Sequence, residues 1–213
     1  VADRFPDYHV LAKRDTASWN AQTGAVVDAR LAKDPPEGVL SDRQRQTLAR
    51  VIDRIVPQPE HRPPVNTLAL VMGKIAANGS DGFRHHQLPE TRRAWERGLD
   101  AVDAEACVRH GSGFAFLSDD QADAVLCAVE KGEVEAPEWQ DLPAGLFWSW
   151  RLIPDIVSAY YAHPSAWSAM GFGGPASPRG YVRLQANRRD PWEAAERDDQ
   201  APSPAEARNH HAE

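Results

Sequence analysis

Two stretches of this chain open in the same way. "LSDRQRQTLARVIDRIVP" starts at Leu40 and "LSDDQADAVLCAVEKGEV" at Leu117. In each, a serine is followed three residues later by a glutamine, Ser41 with Gln44 and Ser118 with Gln121. That spacing is the capping box: the serine oxygen takes an orphan backbone N–H, and the glutamine reaches back to the serine's own N–H. Apolar residues then return at helical intervals, Leu48, Val51, Ile52 and Ile55 in the first and Ala122, Val125, Leu126 and Val129 in the second. The first helix is expected to stop near Pro57 and the second near Gly132.

The same periodicity continues elsewhere. "VNTLALVMGKIAANG" sets Leu68, Val71, Met72 and Ile75 on one face and stops at Asn78-Gly79. "LPETRRAWERGLDAVDAEACVRHG" does so with Trp95, Leu99, Val102 and Ala106, and Gly111 follows its end. "LPAGLFWSWRLIPDIVSAYYAHP" reads as a further helix. Pro154 should kink it, because proline lacks a donor and crowds the preceding turn. Its end falls at His163-Pro164, where the residue before proline leaves the helical region. No run alternates as a strand would. The expected class is all-α, a single helical domain of about five main helices with extended N- and C-terminal arms. Residues 1–39 form the N-terminal arm, with a short helix within 17–32, and 40–197 the helical domain with its irregular C-terminal segment. Residues 198–213 are polar and are expected to be a disordered tail.

A chain of 213 residues can bury a sizeable core. Its net charge of −7 argues against a nucleic-acid binder, which needs clustered Lys and Arg. No apolar run approaches the roughly 20 residues that span a bilayer. "VADRFPDYHVLAKRD" has neither an apolar signal region nor a twin arginine, so a cytoplasmic location is the expectation from these residues. Cys107 and Cys127 read as two reduced thiols buried in helices.

Chemistry-bearing patterns are few. "GFGGPASPRG" looks like a phosphate loop but follows a helix rather than a strand, so its glycines read as positions needing positive φ. None of the eight histidines forms HExxH or groups with other ligands, so no metal site is expected. His163, just before Pro164, is expected to cap the carbonyls that end the aromatic helix. There is no serine elbow of the GxSxG kind. Asp119-Asp120 sits at a helix start, where a carboxylate serves the helix dipole. No catalytic, cofactor-binding or metal residue is therefore assigned.

"YYAHPSAWSAMGFGGPASPRGY", the following "VRLQANRRDPWEA", "FPDYHVLAKRDTASWNAQT" near the start and the helix from Leu40 together resemble the gluconate 2-dehydrogenase subunit 3 family, over most of residues 5–195. The resemblance implies an α-helical accessory subunit without a cofactor of its own. It would bind, stabilise and help mature an FAD-containing sugar dehydrogenase of the glucose–methanol–choline type, acting on gluconate, glucose or glucosides. FAD is then expected in the partner and a cytochrome c as electron acceptor. Many members carry a twin-arginine signal, which this chain lacks, so the resemblance points to the periplasm where the residues alone point to the cytoplasm.

Aromatics and arginine are the types that anchor interfaces. Tyr160, Tyr161, His163, Trp167, Phe172, Arg179, Tyr181 and Trp192 are accordingly the expected partner-binding residues. The competing readings are a stand-alone carbohydrate-active enzyme using His163, and a general helical chaperone for exported proteins.

Overall fold

Both capping boxes form as their spacing predicts. Ser41 Oγ accepts the N–H of Gln44 while Gln44 Oε1 accepts that of Ser41, and Ser118 and Gln121 do the same. The structure, a computed structural model, describes residues 2–31, 34–56, 58, 60–79, 82, 84–198 and 200–212. Its helices are α1 (Ala21–Ala29), α2 (Asp42–Ile55), α3 (Thr67–Ala77), α4 (Thr91–His110), α5 (Asp119–Lys131), α6 (Ala144–Phe147), α7 (Ile153–Tyr161), α8 (Pro164–Met170) and α9 (Ala205–Asn209). Among the described residues there is no strand, only an isolated bridge between Trp19 and Ser177. The all-α class is as expected. Pro57, the expected stop of α2, lies outside the described residues.

The chain divides into two units. One comprises Lys33–Pro57 and Thr67–Ala159. Here α4 packs against α2, α3 and α5, and Trp95, Leu99, Val102 and Ala106 are wholly buried, as their spacing requires. Trp95 meets Phe147 edge-on, with ring centroids 5.6 Å apart. Gly98 makes that approach possible, since a Cβ there would fall inside the Phe147 ring. Gly111 and Gly132 end α4 and α5 in the left-handed conformation that glycine takes freely.

Two expectations change in this unit. Cys107 and Cys127 are free but exposed, because they fall on the outward faces of α4 and α5 beside the buried stripes. Pro154 does not simply kink its helix. Between α6 and α7 a π-helical turn, Trp148–Leu152, precedes it, and the N–H of Ile153 bonds five residues back to Trp148. The Trp150 carbonyl, which Pro154 cannot serve, accepts the Nε–H of Arg151 at 2.6 Å. A π turn, like a proline, is a recognised site of irregularity within a helix.

The other unit comprises Val1–Ala32, Gln58–Asn66 and Tyr160–Glu213. The N-terminal residues do not extend as an arm. Tyr8, Val10, Trp19, Val27, Trp167 and Ala212 form one buried cluster. Arg62, its side chain almost wholly buried, donates to the carbonyls of Phe5 and Tyr8 and pairs with Asp3 at 2.8 Å. Trp19 donates its indole N–H to the Pro175 carbonyl at 2.8 Å, and the N–H of Asn20 bonds Ser177 at 2.7 Å.

The tail expectation is also corrected. Residues 200–212 include α9, whose Asn209 is buried. Its side chain donates to the carbonyls of Pro6 (2.8 Å) and Ala195 (2.9 Å) and accepts the Ala195 N–H (2.6 Å). One amide side chain thus satisfies three backbone groups on two residues far apart in sequence, Pro6 and Ala195, and no compositional argument registers that.

Candidate functional site

The segment from Gly171 to Ala194 is irregular, and its glycines adopt the expected positive φ at Gly171, Gly174 and Gly180. Gly174 has a second reason to be glycine: a Cβ there would press on Val10 at 3.2 Å and on the Trp167 ring at 3.3 Å. The segment folds over the N-terminal turn Val10–Lys13 and forms with it an open cleft of about 680 Å³, within the size range of small-molecule sites.

Charge in this cavity runs against that of the chain. Its lining includes Lys13, Arg179, Arg183, Arg188 and Arg189 against two carboxylates, Asp190 and Glu193, although the whole chain carries −7. The carboxylates hold the loop itself. Asp190 is buried and accepts the Leu184 N–H, and Glu193 accepts the Asp190 N–H at 2.8 Å while pairing with Arg183 at 3.1 Å.

Lys13 is wholly buried and its ammonium donates to the Trp192 carbonyl. Burial, reinforced by the nearby Arg179 charge and opposed by Glu193, lowers its pKa to about 8. The Arg179 guanidinium lies 4.4 Å over the Trp192 ring and donates to Ser18 Oγ and the Gly180 carbonyl, both at 3.1 Å. Among the described residues neither Lys13 nor Arg179 pairs with a carboxylate.

An apolar strip lies along the same segment. Tyr181, Val182 and Leu184 are 72%, 78% and 70% exposed, and Phe172 is also open to solvent. Large apolar side chains left open to solvent in one irregular stretch are where an interaction surface would be sought.

The structure sorts the expected partner-binding residues into three groups. Phe172, Arg179, Tyr181 and Trp192 line the one cavity. Tyr160 and Tyr161 stack edge-on at 5.1 Å away from it, Tyr161 exposed and Tyr160 half-buried; burial, then Tyr161, raises the Tyr160 phenol pKa. Trp167 and His163 are buried and offer no surface to a partner. Trp167 belongs to the core cluster, its indole N–H bonded to the Tyr161 carbonyl at 2.6 Å. His163 caps the start of α8 rather than the end of α7. Its Nδ1 accepts the Ser165 N–H at 3.1 Å, the role of an N-cap side chain. Burial holds its pKa below the ordinary value, which keeps Nδ1 free to accept.

Sequence reasoning passed over Lys13, Val182, Leu184 and the arginines at 183, 188 and 189. The signal was present in "YVRLQANRRDPW", which holds three arginines within a chain of opposite net charge. Among the described residues no three His, Cys, Asp or Glu side chains gather as a metal site, and no helix is long and apolar enough to cross a membrane.

No curated protein and no solved structure matches this chain. The family described as Gluconate 2-dehydrogenase subunit 3 does match, over residues 42–174. The matched span is narrower than the resemblance, for it stops before Pro175 and omits the N-terminal residues. It still takes in the capped helices α2 and α5, the π turn and α8, more than half of the chain. On that match the chain belongs to the gluconate 2-dehydrogenase subunit 3 family.

Proposed function

We propose that this chain is the small accessory subunit of an FAD-dependent sugar dehydrogenase of the glucose–methanol–choline type, and that it binds, stabilises and helps mature the catalytic subunit. FAD and the oxidation of the sugar belong to that partner, and a cytochrome c takes the electrons. The family is named for a dehydrogenase subunit. The observation that carries the reading is the exposed apolar strip Tyr181, Val182 and Leu184, held on a loop that Asp190 and Glu193 fix from within. A loop already held in shape loses little entropy on docking. Tyr181 and Leu184 are the main anchors, and Phe172 and Tyr161 are further exposed contacts.

The test is co-expression with an FAD-dependent dehydrogenase encoded beside it, followed by co-purification and a flavin spectrum. Tyr181→Ala with Leu184→Ala should leave the isolated chain folded and weaken the complex by about 2 kcal/mol or more, roughly 30-fold in affinity. A dehydrogenase that matures and turns over equally well without this chain would overturn the reading.

A further inference from the structure

We propose that residues 181–189 recognise an acidic surface of the catalytic subunit, one that sets carboxylates around an apolar centre. The inference rests on the accessory role proposed above and adds the chemistry of the partner's face. Its ground is a local excess of charge opposite in sign to that of the chain. From 156 to 189 the sequence holds no Asp or Glu, although the chain has 31, so this stretch is set apart from the rest. Every residue from 181 to 189 is exposed, among them Arg183, Arg188 and Arg189. Arg183 meets Glu193 at 3.1 Å. Arg188 donates to the side-chain oxygen of Gln185 at 3.3 Å, and Arg189 to the Glu193 backbone carbonyl. Both acceptors are neutral. Among the described residues no carboxylate pairs with Arg188 or Arg189.

The cations of this span are all arginine, none lysine. A guanidinium is weakly hydrated and its planar fork matches a carboxylate with two bonds, so it suits an interface that excludes water. The three arginines share the span with exposed Tyr181, Val182 and Leu184. The backbone that carries both sets is held from within: buried Asp190 accepts the Leu184 N–H, and Glu193 accepts that of Asp190. Three cations are too few for a phosphate-backbone binder, which neutralises about 6–10 phosphates. A chain of −7 is also repelled by any extended polyanion, duplex or anionic bilayer. A protein patch can match this loop without facing the rest of the chain. Opposite charge then steers the encounter, so the arginines act on the association rate and the apolar strip on the dissociation rate.

The test uses the whole chain and the FAD-dependent dehydrogenase encoded beside it, with both rates followed by surface plasmon resonance. The association rate should fall about tenfold or more between about 50 mM and about 500 mM salt, because the screening length shortens severalfold. Arg188→Glu with Arg189→Glu should lower the association rate about tenfold at low salt and flatten its salt dependence. Arg188→Glu alone gives up a bond to exposed Gln185. It should show part of the same effect, and it decides if the double variant melts early. Tyr181→Ala with Leu184→Ala should instead raise the dissociation rate and keep the salt dependence.

A tight complex whose association ignores both salt and the arginine variants would overturn the acidic surface and leave the accessory role standing. No complex at any salt would overturn both. Phosphatidylglycerol vesicles and a short DNA duplex serve as controls. Saturable binding of either at low salt, lost in the double variant while the dehydrogenase binds as before, would reassign the arginines to that polyanion and overturn the inference.

Discussion

Trp95 donates its indole N–H to one carboxylate oxygen of Asp155 at 2.8 Å, and the other oxygen holds Lys74 at 2.7 Å. Asp155 is wholly buried, so its charge is tolerable only because these donors surround it. Asp155→Ala should cost about 3–5 kcal/mol, the range for breaking a buried pair from one side. Asp155→Asn, which can still accept from Trp95, should cost less. Denaturant unfolding with the near-ultraviolet signal of the tryptophans checks the order; equal costs would mean that the charge, not the indole bond, carries the network.

Gly98→Ala should destabilise the fold even though alanine is the better helix former. The propensity gain is at most about 1 kcal/mol, while overpacking a filled core costs typically about 1–3 kcal/mol. A Cβ at 98 meets the Phe147 ring directly. Adding Phe147→Leu should return part of the loss, which a double-mutant cycle on melting midpoints measures.

Trp167→Ala should lower stability by about 3–5 kcal/mol, the scale for removing a buried aromatic, because Trp167 sits with Tyr8, Val10 and Trp19. Tyr181→Ala should change the melting point little, since Tyr181 is mostly exposed. Circular-dichroism melts of both variants separate core from surface within the same segment.

Stability should fall with acidity in two steps. His163 has a folded pKa below its ordinary 6.5 because of burial. Its contribution is therefore complete above that value and is lost as pH drops through the folded pKa. For Glu105, burial disfavours the charge, but the N–H of Ala136, the Arg109 side chain and the N–H of Glu135 outweigh it, so its pKa lies below 4.5. That contribution is lost at still lower pH. His163→Asn keeps an N-cap acceptor for Ser165 and should flatten the first step alone, seen in denaturant midpoints taken from pH 8 to pH 4.

Removing residues 198–213 should destabilise the chain, and Asn209→Ala should reproduce much of the effect at about 1–3 kcal/mol, the cost of leaving buried backbone groups unsatisfied. The three bonds of Asn209 motivate this. A truncated chain that melts at the original temperature would show that α9 adds nothing to the fold.

These residues also show what a sequence can disclose. Ser41 with Gln44, and Ser118 with Gln121, act over three residues, and their bonds are the ones the spacing implies. Trp95, Leu99, Val102 and Ala106 lie on one stripe because helical geometry alone puts them there. Trp19 bonding Pro175, and Asn209 bonding Pro6, depend on parts of the chain more than 150 residues apart. Nothing local encodes such pairings. The cationic cavity was hidden for the same reason: Lys13 and Arg179 become neighbours only after the loop has folded, and the net charge averages them away. Trp167 and Tyr181 are both aromatics near glycines, and only burial tells the core residue from the surface one.

The π turn at Trp148–Leu152 acts as a phase shift. A regular helix advances about 100° per residue, so Phe147 and Ile156, nine positions apart (156 − 147 = 9), would face opposite sides. Both are wholly buried. One residue taken up in the wide turn brings them to an effective spacing of eight, and with them Asp155 toward Trp95. It follows that the number of residues here matters more than their identity. Deleting one residue between 148 and 152 would close the wide turn into a regular one at that same spacing of eight and keep Asp155 facing Trp95, whereas inserting one would swing Asp155 away from its donors by about 100° and strand a buried charge.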